Sequence, residues 1–399
     1  MKILFVSQYF YPETFRGNDI AFHLAKEGHY VHVVTGLPNY PGGKILGGYG
    51  WFKKRKEVID GVHVTRLPII PRGNNKIMLL LNYFSYFIVA SVWMIFHALF
   101  NKYDCVFVQQ LSPVMMSAPG ILYKKIRRVP LYTWVLDLWP ESLTAAGGIN
   151  NKYVLAFFDF FVKKEYKHSD KIMISSRSFK ESVLKYGDYA DKVIYYPQWA
   201  DGVDDVDVEA VLPELPDGFK LMFAGAVGEA HGFECTMQAA LLTKDHKDVK
   251  WIIVGDGRKL DWVRLFVRDN GLEDTVFTLG RYPSNTMPRF FEQADVMLVT
   301  LNDDPLFKLY SPAKISSYMA SSRPIIAVLN GEGGDVIKEA KCGWHIPAGD
   351  AEAFARLVIE LSKIDKANLR KIGQNGRMYY DEHFTKEKCL DKLKGIMSL

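Results

Sequence analysis

The sequence predicts an α/β protein built from two Rossmann-like domains in tandem, and three observations predict it. Short apolar runs of strand length alternate with amphipathic stretches of helical period in both halves of the 399 residues. The rhythm breaks at Asp201-Gly202-Val203-Asp204-Asp205-Val206-Asp207, followed by Pro213 and Pro216, and then restarts. A glycine-bearing turn follows the first strand of each half, where open parallel sheets bind ligands beyond the carboxyl ends of their strands. With 48% hydrophobic and 24% charged residues, disordered, collagen-like and disulfide-stapled classes are excluded.

In chain order, strands are expected at about 2–7, 31–35, 62–67, 104–109, 131–136, 170–174 and 192–196. The second half gives strands near 220–224, 250–254, 275–278, 295–299 and 324–328, and helices at about 350–363, 366–382 and 385–397 close the chain. Residues 1–200 therefore form a first domain, 201–217 a linker, 218–382 a second domain and 383–399 a terminal helix.

Charge divides along the same line. Residues 1–200 carry 25 Lys/Arg against 14 Asp/Glu, a balance of +11, whereas residues 201–399 carry 25 against 31, a balance of −6. One half is suited to meet anions. Cys105, Cys235, Cys342 and Cys389 show no C-x-x-C spacing, as expected of reduced thiols in a cytosolic protein. The apolar run after Met1 is too short for a signal-peptide core.

Residues 77–100 stand apart, because 24 consecutive positions lack Asp, Glu, Lys and Arg. The length allows a membrane span, a buried crossover helix, or a helix that dips into a membrane surface. Asn82, Ser85, Ser91 and His97 interrupt the stretch and both flanks are basic, which disfavours a span. The basic runs Lys53-Lys54-Arg55-Lys56, Lys124-Lys125 and Arg127-Arg128 lie in the same half and favour an anionic membrane surface as partner.

Several residues are placed to carry chemistry. Gly17, at the mouth of the first helix, and Gly225 and Gly255, after the first two strands of the second domain, would let backbone N–H groups approach a phosphate. Gly334, within Gly331-Glu332-Gly333-Gly334-Asp335, repeats the device. Asp137 follows the strand at 131–136, with Glu141 four residues on; a carboxylate pair so placed suits proton handling, while Asp137 also reads as a helix cap. Asp205-x-Asp207 and Asn302-Asp303-Asp304 read as loop charge, so no metal site is expected.

The order of Gly28-His29-x-Val31-x-Val33, Phe223-Ala224-Gly225, Val254-Gly255-Asp256-Gly257, Ala294-Asp295-Val296 and Pro324-Ile325-Ile326-Ala327 resembles glycosyltransferase family 4, of the GT-B fold. Leu37-Pro38-Asn39-Tyr40-Pro41-x-Gly43-Lys44 and Asp137-Leu138-Trp139-Pro140-Glu141-Ser142 are similar to its branch that assembles O-antigen and capsule repeat units, such as the fucosamine transferases. The resemblance implies two domains facing a cleft, with C-terminal helices crossing back to the first. It implies retaining transfer, without a metal, from a nucleotide-diphosphate sugar, UDP favoured, to a polyprenyl-pyrophosphate-linked saccharide at the cytoplasmic membrane face.

In that family an Arg and a Lys neutralise the donor pyrophosphate where this chain has Ala226 and His231, and two glutamates fall on Leu309 and Ser317. Lys314, matching the Lys of a Pro-Ser-Lys element, then supplies the positive charge, and Tyr282 stands where the family brackets the nucleobase. These departures also leave open a catalytically weak partner subunit that binds a nucleotide sugar or lipid.

Overall fold

A computed structural model describes residues 1–200 and 206–399, the side chains of 145–147 excepted. The first part of the expected linker, including Asp205, lies outside the described residues. Two compact units result: Met1–Tyr196 together with Leu390–Leu399, and Pro197–Cys389.

The first unit contains β1 (Lys2–Val6), β2 (Tyr30–Gly36), β3 (Lys56–Ile59), β4 (Val62–Leu67), β5 (Cys105–Gln110), β6 (Leu131–Val135), β7 (Lys171–Ile174) and β8 (Val193–Tyr195). Its helices are α1 (Arg16–Lys26), α2 (Lys76–Phe100), α3 (Ala118–Arg127), α4 (Glu141–Gly147), α5 (Lys152–His168) and α6 (Phe179–Leu184). The strands order as β3-β4-β2-β1-β5-β6-β7-β8. All pairs are parallel except β3 with β4. β3 was not among the expected strands. Its signal was Asp60-Gly61, a two-residue hairpin turn in which both residues adopt positive φ, 46° and 82°. The strand order reverses between β1 and β5, so the ligand crevice of this sheet lies beyond their carboxyl ends.

Helix α2 is not an ordinary buried crossover. The capping side chain of Asn75 accepts the Met78 N–H (2.8 Å), and an i, i+4 stripe of Asn82, Tyr86, Ala90, Met94 and Ala98 faces the sheet. Two of the polar residues that interrupt the stretch, Asn82 and Ser85, dock it. Gln8 Nε2 donates to Asn82 Oδ1 (2.8 Å), Asn82 Nδ2 donates to the Ile70 carbonyl (2.6 Å), and Ser85 Oγ accepts the Ile70 N–H (3.0 Å). The outward face carries Ile77, Leu80, Leu81, Ile88, Val92, Ile95, Phe96, Leu99 and Phe100, with Phe96 62% and Phe100 84% exposed. The helix is thus apolar on its outward face as well as its inward one, unlike a soluble amphipathic helix.

The second unit contains β9 (Phe219–Ala224), β10 (Val249–Val254), β11 (Val276–Gly280), β12 (Val296–Thr300), β13 (Ile325–Val328) and β14 (Gly343–Ile346), in the order β11-β10-β9-β12-β13-β14, all parallel. Helices α7 (Phe233–Leu242), α8 (Leu260–Asn270), α9 (Met287–Gln293), α10 (Lys314–Ala320), α11 (Glu332–Ala340), α12 (Ala351–Leu361), α13 (Lys366–His383) and α14 (Lys386–Met397) accompany them. Trp251, Phe354, Val263 and Leu298 belong to one core between sheet and helices. The edge strand β14 adds to the strands the apolar pattern gave. Of the C-terminal helices, only the part of α14 from Leu390 onward belongs to the first unit. The order in this sheet reverses between β9 and β12.

Candidate active site

At the switch point of the first sheet, Gly17 lies in the first turn of α1, pressed against β5. A Cβ there would stand 2.0 Å from Gln109 Oε1, which itself accepts from Ser7 Oγ (3.2 Å). The glycine is required for close packing of helix on strand.

Asp137 follows β6, and its Oδ2 accepts a hydrogen bond from Ser112 Oγ (2.7 Å), which is also reached by Trp139 Nε1 (3.2 Å). Burial raises its carboxyl above the ordinary range, and the Ser112 bonds oppose that rise. Helix α4 starts at Glu141 with Pro140 at its cap position and no side-chain cap bond, so Asp137 is not a helix cap. For the same reason the two carboxyl groups do not share a helical face. Glu141 Oε2 is buried without a hydrogen-bond partner, and the Glu141 charge acts on Tyr186.

A group of residues that the sequence reading did not single out is linked to this point through Tyr83. Glu13 Oε1 accepts the N–H groups of Asn39 (2.7 Å) and Tyr40 (2.6 Å), and burial raises its carboxyl to about 7. Arg72 donates to the Tyr9 hydroxyl (3.1 Å), and Tyr83 of α2 feels the charges of both Arg72 and Asp137. The signal was present in the Leu37–Lys44 motif, because Asn39 Oδ1 accepts the Arg72 N–H (2.9 Å).

In the second unit the glycines serve backbone contact. Gly225 (φ 134°) donates its N–H to the Val254 carbonyl (2.9 Å), and Gly255 (φ 142°) donates to the Gly280 carbonyl (2.7 Å). A Cβ on Gly255 would stand 1.8 Å from Gly225 O. Neither N–H is therefore free for a phosphate, contrary to expectation. The N–H groups of Ala226 and Gly228 find no acceptor among the described residues.

The charge at this loop comes from α10. Lys314 Nζ is buried, has no hydrogen-bond partner among the described residues, lies 3.8 Å from the centroid of the Phe223 ring, and is 3.1 Å from where a Cβ on Gly225 would stand. Burial lowers its ammonium to about 7. The His231 ring meets Phe223 edge-on at 5.8 Å; burial, with the Lys314 charge adding, pushes it down to about 3, and its Nδ1 also lacks a partner. Thr300 Oγ1, at the end of β12, is a third buried polar atom without a partner, beside Gly232. Such a set is costly unless a ligand satisfies it.

Ser317 lies one turn beyond Lys314, half-buried. Tyr282 packs edge-on against Phe290 (4.8 Å, 66°). Gly334 is a packing glycine rather than a free donor: its N–H bonds the Gly331 carbonyl (2.9 Å), and a Cβ would stand 2.3 Å from the His345 ring. Structure thus gathers Phe223, Gly225, His231 and Lys314 into one cluster and gives Gly334 a structural reason. All four cysteines are buried, and none forms a disulfide among the described residues.

Residues 218–363 match the model of the family described as glycosyl transferases group 1. The chain is 27% identical over 287 residues to the probable glycosyltransferase WbjE of Pseudomonas aeruginosa, covering 67% of this chain and 69% of that one. It is 27% identical over 320 residues to WcaI of Escherichia coli K12, provisionally named as a colanic acid biosynthesis glycosyl transferase, covering 75% and 76%. Its fold superposes on HepE of Anabaena in complex with UDP with a TM-score of 0.72 at 14% identity, over the whole of both chains.

Fold and matches together define the class, a glycosyltransferase of the GT-B fold. Its second unit carries the group 1 glycosyltransferase domain, in agreement with the family that the sequence resembles.

Proposed function

We propose that the protein transfers a sugar, with retention, from a nucleoside-diphosphate sugar, UDP favoured, to a polyprenyl-pyrophosphate-linked saccharide in the synthesis of a bacterial surface polysaccharide. The observation that carries the donor half is Lys314, a buried ammonium without a hydrogen-bond partner among the described residues, near the Gly225 loop in which the N–H groups of Ala226 and Gly228 find no acceptor among those residues. A diphosphate placed there satisfies the ammonium and restores its proton, because a nearby anion favours the charged form. The UDP in HepE and the colanic acid in the name of WcaI support the same donor and product class.

In this reading Asp137, fixed by Ser112, orients the acceptor hydroxyl, and Lys314 and the loop N–H groups stabilise the departing diphosphate, which takes the acceptor proton. Tyr282 and Ser317 border the donor, and no resident metal takes part. The exposed apolar face of α2, together with Tyr153, Phe157 and Phe160 of α5, holds the protein to the inner face of the cell membrane; Phe84 of α2 packs on Phe157 at 6.1 Å. The basic residues Lys124, Lys125, Arg127 and Arg128 of the same unit favour anionic lipid.

The test is turnover. Purified protein is incubated with UDP-sugars, GDP-sugars and a prenyl-pyrophosphate-linked saccharide, and UDP release and product are measured. Donor-dependent product supports the reading; absence of any donor-induced thermal stabilisation would overturn its donor half.

A further inference from the structure

In the first unit a guanidinium stands inside an aromatic cage without a carboxylate partner. Arg72, in the loop between β4 and α2, donates from Nη1 to the Tyr9 hydroxyl (3.1 Å) and lies 5.5 Å from the ring centroid of Tyr40 and 5.9 Å from that of Tyr83. Phe15 closes the cage, stacked on Tyr9 (5.2 Å) and tilted against Tyr40 (5.4 Å). Among the described residues Arg72 makes no salt bridge. The nearby carboxyl of Glu13 is occupied by the N–H groups of Asn39 and Tyr40, and Asp137 is engaged by Ser112.

The cage is built rather than incidental. Asn39 is fully buried, and its side chain bonds the Leu37 carbonyl (2.8 Å) and the Arg72 N–H (2.9 Å). Gly73 N–H donates to the Gly43 carbonyl (2.8 Å), and a Cβ on Gly43 would stand 2.5 Å from Gly73 O. The Leu37–Lys44 motif is thus the frame that fixes Arg72, three residues before the cap of α2. A half-buried cation with aromatic neighbours and no anion is a poor arrangement for stability alone. It is a good one for a phosphoryl group, whose oxygens match the planar fork of Arg, flanked by rings that stack on a saccharide face.

We infer that Arg72, with Tyr9, Tyr40 and Tyr83, is the subsite for the phosphoryl group that carries the acceptor saccharide. This rests on the proposed acceptor class, a diphosphate-linked saccharide. The outward apolar face of α2 begins five residues on, at Ile77, so the subsite lies at the foot of the face assigned to lipid. Tyr83, which feels the charges of both Arg72 and Asp137, joins the subsite to Asp137.

The experiment compares the full chain with Arg72→Gln, Arg72→Lys and Tyr9→Phe, each checked for native circular dichroism. With a short-prenyl pyrophosphate-linked saccharide, Arg72→Gln is expected to raise the acceptor KM at least about tenfold while the donor KM stays within about twofold. Arg72→Lys restores part of the loss, since charge is kept but the fork is not, and Tyr9→Phe gives a smaller increase. An acceptor KM unchanged in Arg72→Gln, or a donor KM that rises equally, overturns the assignment.

A second arm separates this subsite from the acceptor reading. Inorganic pyrophosphate is titrated calorimetrically in a Lys314→Met background, which removes the donor ammonium. Binding that is lost on adding Arg72→Gln supports the subsite even if the protein uses a saccharide without a phosphoryl group, in which case only the acceptor reading fails. Equal binding with and without Arg72, or none in either, overturns the subsite.

Discussion

Lys314 Nζ sits 3.8 Å above the ring of Phe223 and has no hydrogen-bond partner, so the ammonium of α10 is held against an aromatic face at the end of β9. The ring offsets part of the desolvation through its quadrupole, and the rest is left for a ligand. Activity and stability are set against each other at this position.

Lys314→Met is therefore expected to raise the melting temperature of the ligand-free protein while abolishing stabilisation by UDP. Replacing a strained buried charge by an apolar side chain of similar length is worth about 1–4 kcal/mol, and each kcal/mol shifts the transition by about 2–4 °C for a unit of this size. Differential scanning calorimetry with and without UDP reads both effects. A variant that melts lower, or that keeps its UDP response, contradicts the role given to Lys314.

The same ammonium sets a pH dependence. The folded chain releases its proton near pH 7, whereas the unfolded chain keeps it to the ordinary value of 10.5. The unfolded state binds more protons between those limits, so ligand-free stability contributed by this group rises with pH from about 7 to 10.5. Donor affinity runs the other way: it is full below pH 7 and falls above it, by up to about tenfold per unit, because the bound diphosphate needs the protonated form. His231, pushed down to about 3, adds no slope in this window. Titrations of UDP at pH 6 to 9 should show the fall, and Lys314→Met should flatten it.

Asp137→Asn keeps the Ser112 contact and removes the charge. Transfer is expected to drop by about 10²-fold with donor affinity unchanged, the size of loss for a reacting hydroxyl no longer held in line. Ser112→Ala should cost less, since the carboxylate survives and loses only its anchor. Single-turnover rates measured beside UDP affinity distinguish the two, and full activity in Asp137→Asn would remove the residue from the mechanism.

The exposed apolar face of α2 predicts membrane binding that survives in part at high salt. Ile88, Phe96 and Phe100 are exposed, and changing all three to Ser removes apolar area worth several kcal/mol to a bilayer at about 25 cal/mol per Å². Sedimentation with anionic liposomes should fall sharply while the melting temperature stays nearly constant. Retention of binding by the triple variant would assign this face elsewhere.

Gly255→Ala tests the strand-end contact in the second unit. The new Cβ would stand 1.8 Å from Gly225 O at a φ of 142°, so backbone has to move and stability should fall by more than about 2 kcal/mol. Urea unfolding read by tryptophan fluorescence would detect it. An unaffected midpoint would show that the two loops separate freely.

Much of the fold was legible. The apolar runs gave the parallel strands of both sheets except the edge strand β14, because a strand covered on both faces has to be apolar along its length. The half-exposed hairpin strand β3, Lys56-Glu57-Val58-Ile59, lacks that run and escaped, although Asp60-Gly61 marked its turn. At the site, Lys314 and Asp137 were identified from their motifs and sit at strand ends and helix starts as expected. The glycines at 17, 225, 255 and 334 were also found, but for a different physical use.

What the sequence by itself determined is the alternation of elements, the break between two units, and the uncharged stretch of α2, all consequences of local composition and period. What only the tertiary structure decided is which groups are left unsatisfied. Whether a glycine N–H is free depends on the carbonyl that a neighbouring strand brings to it, as Val254 does for Gly225. Whether a cation stands alone depends on what packs around it, as Phe223 does for Lys314 and three tyrosines do for Arg72. Hydrogen-bond and charge balance are sums over contacts distant in the chain, and no local pattern fixes their remainder.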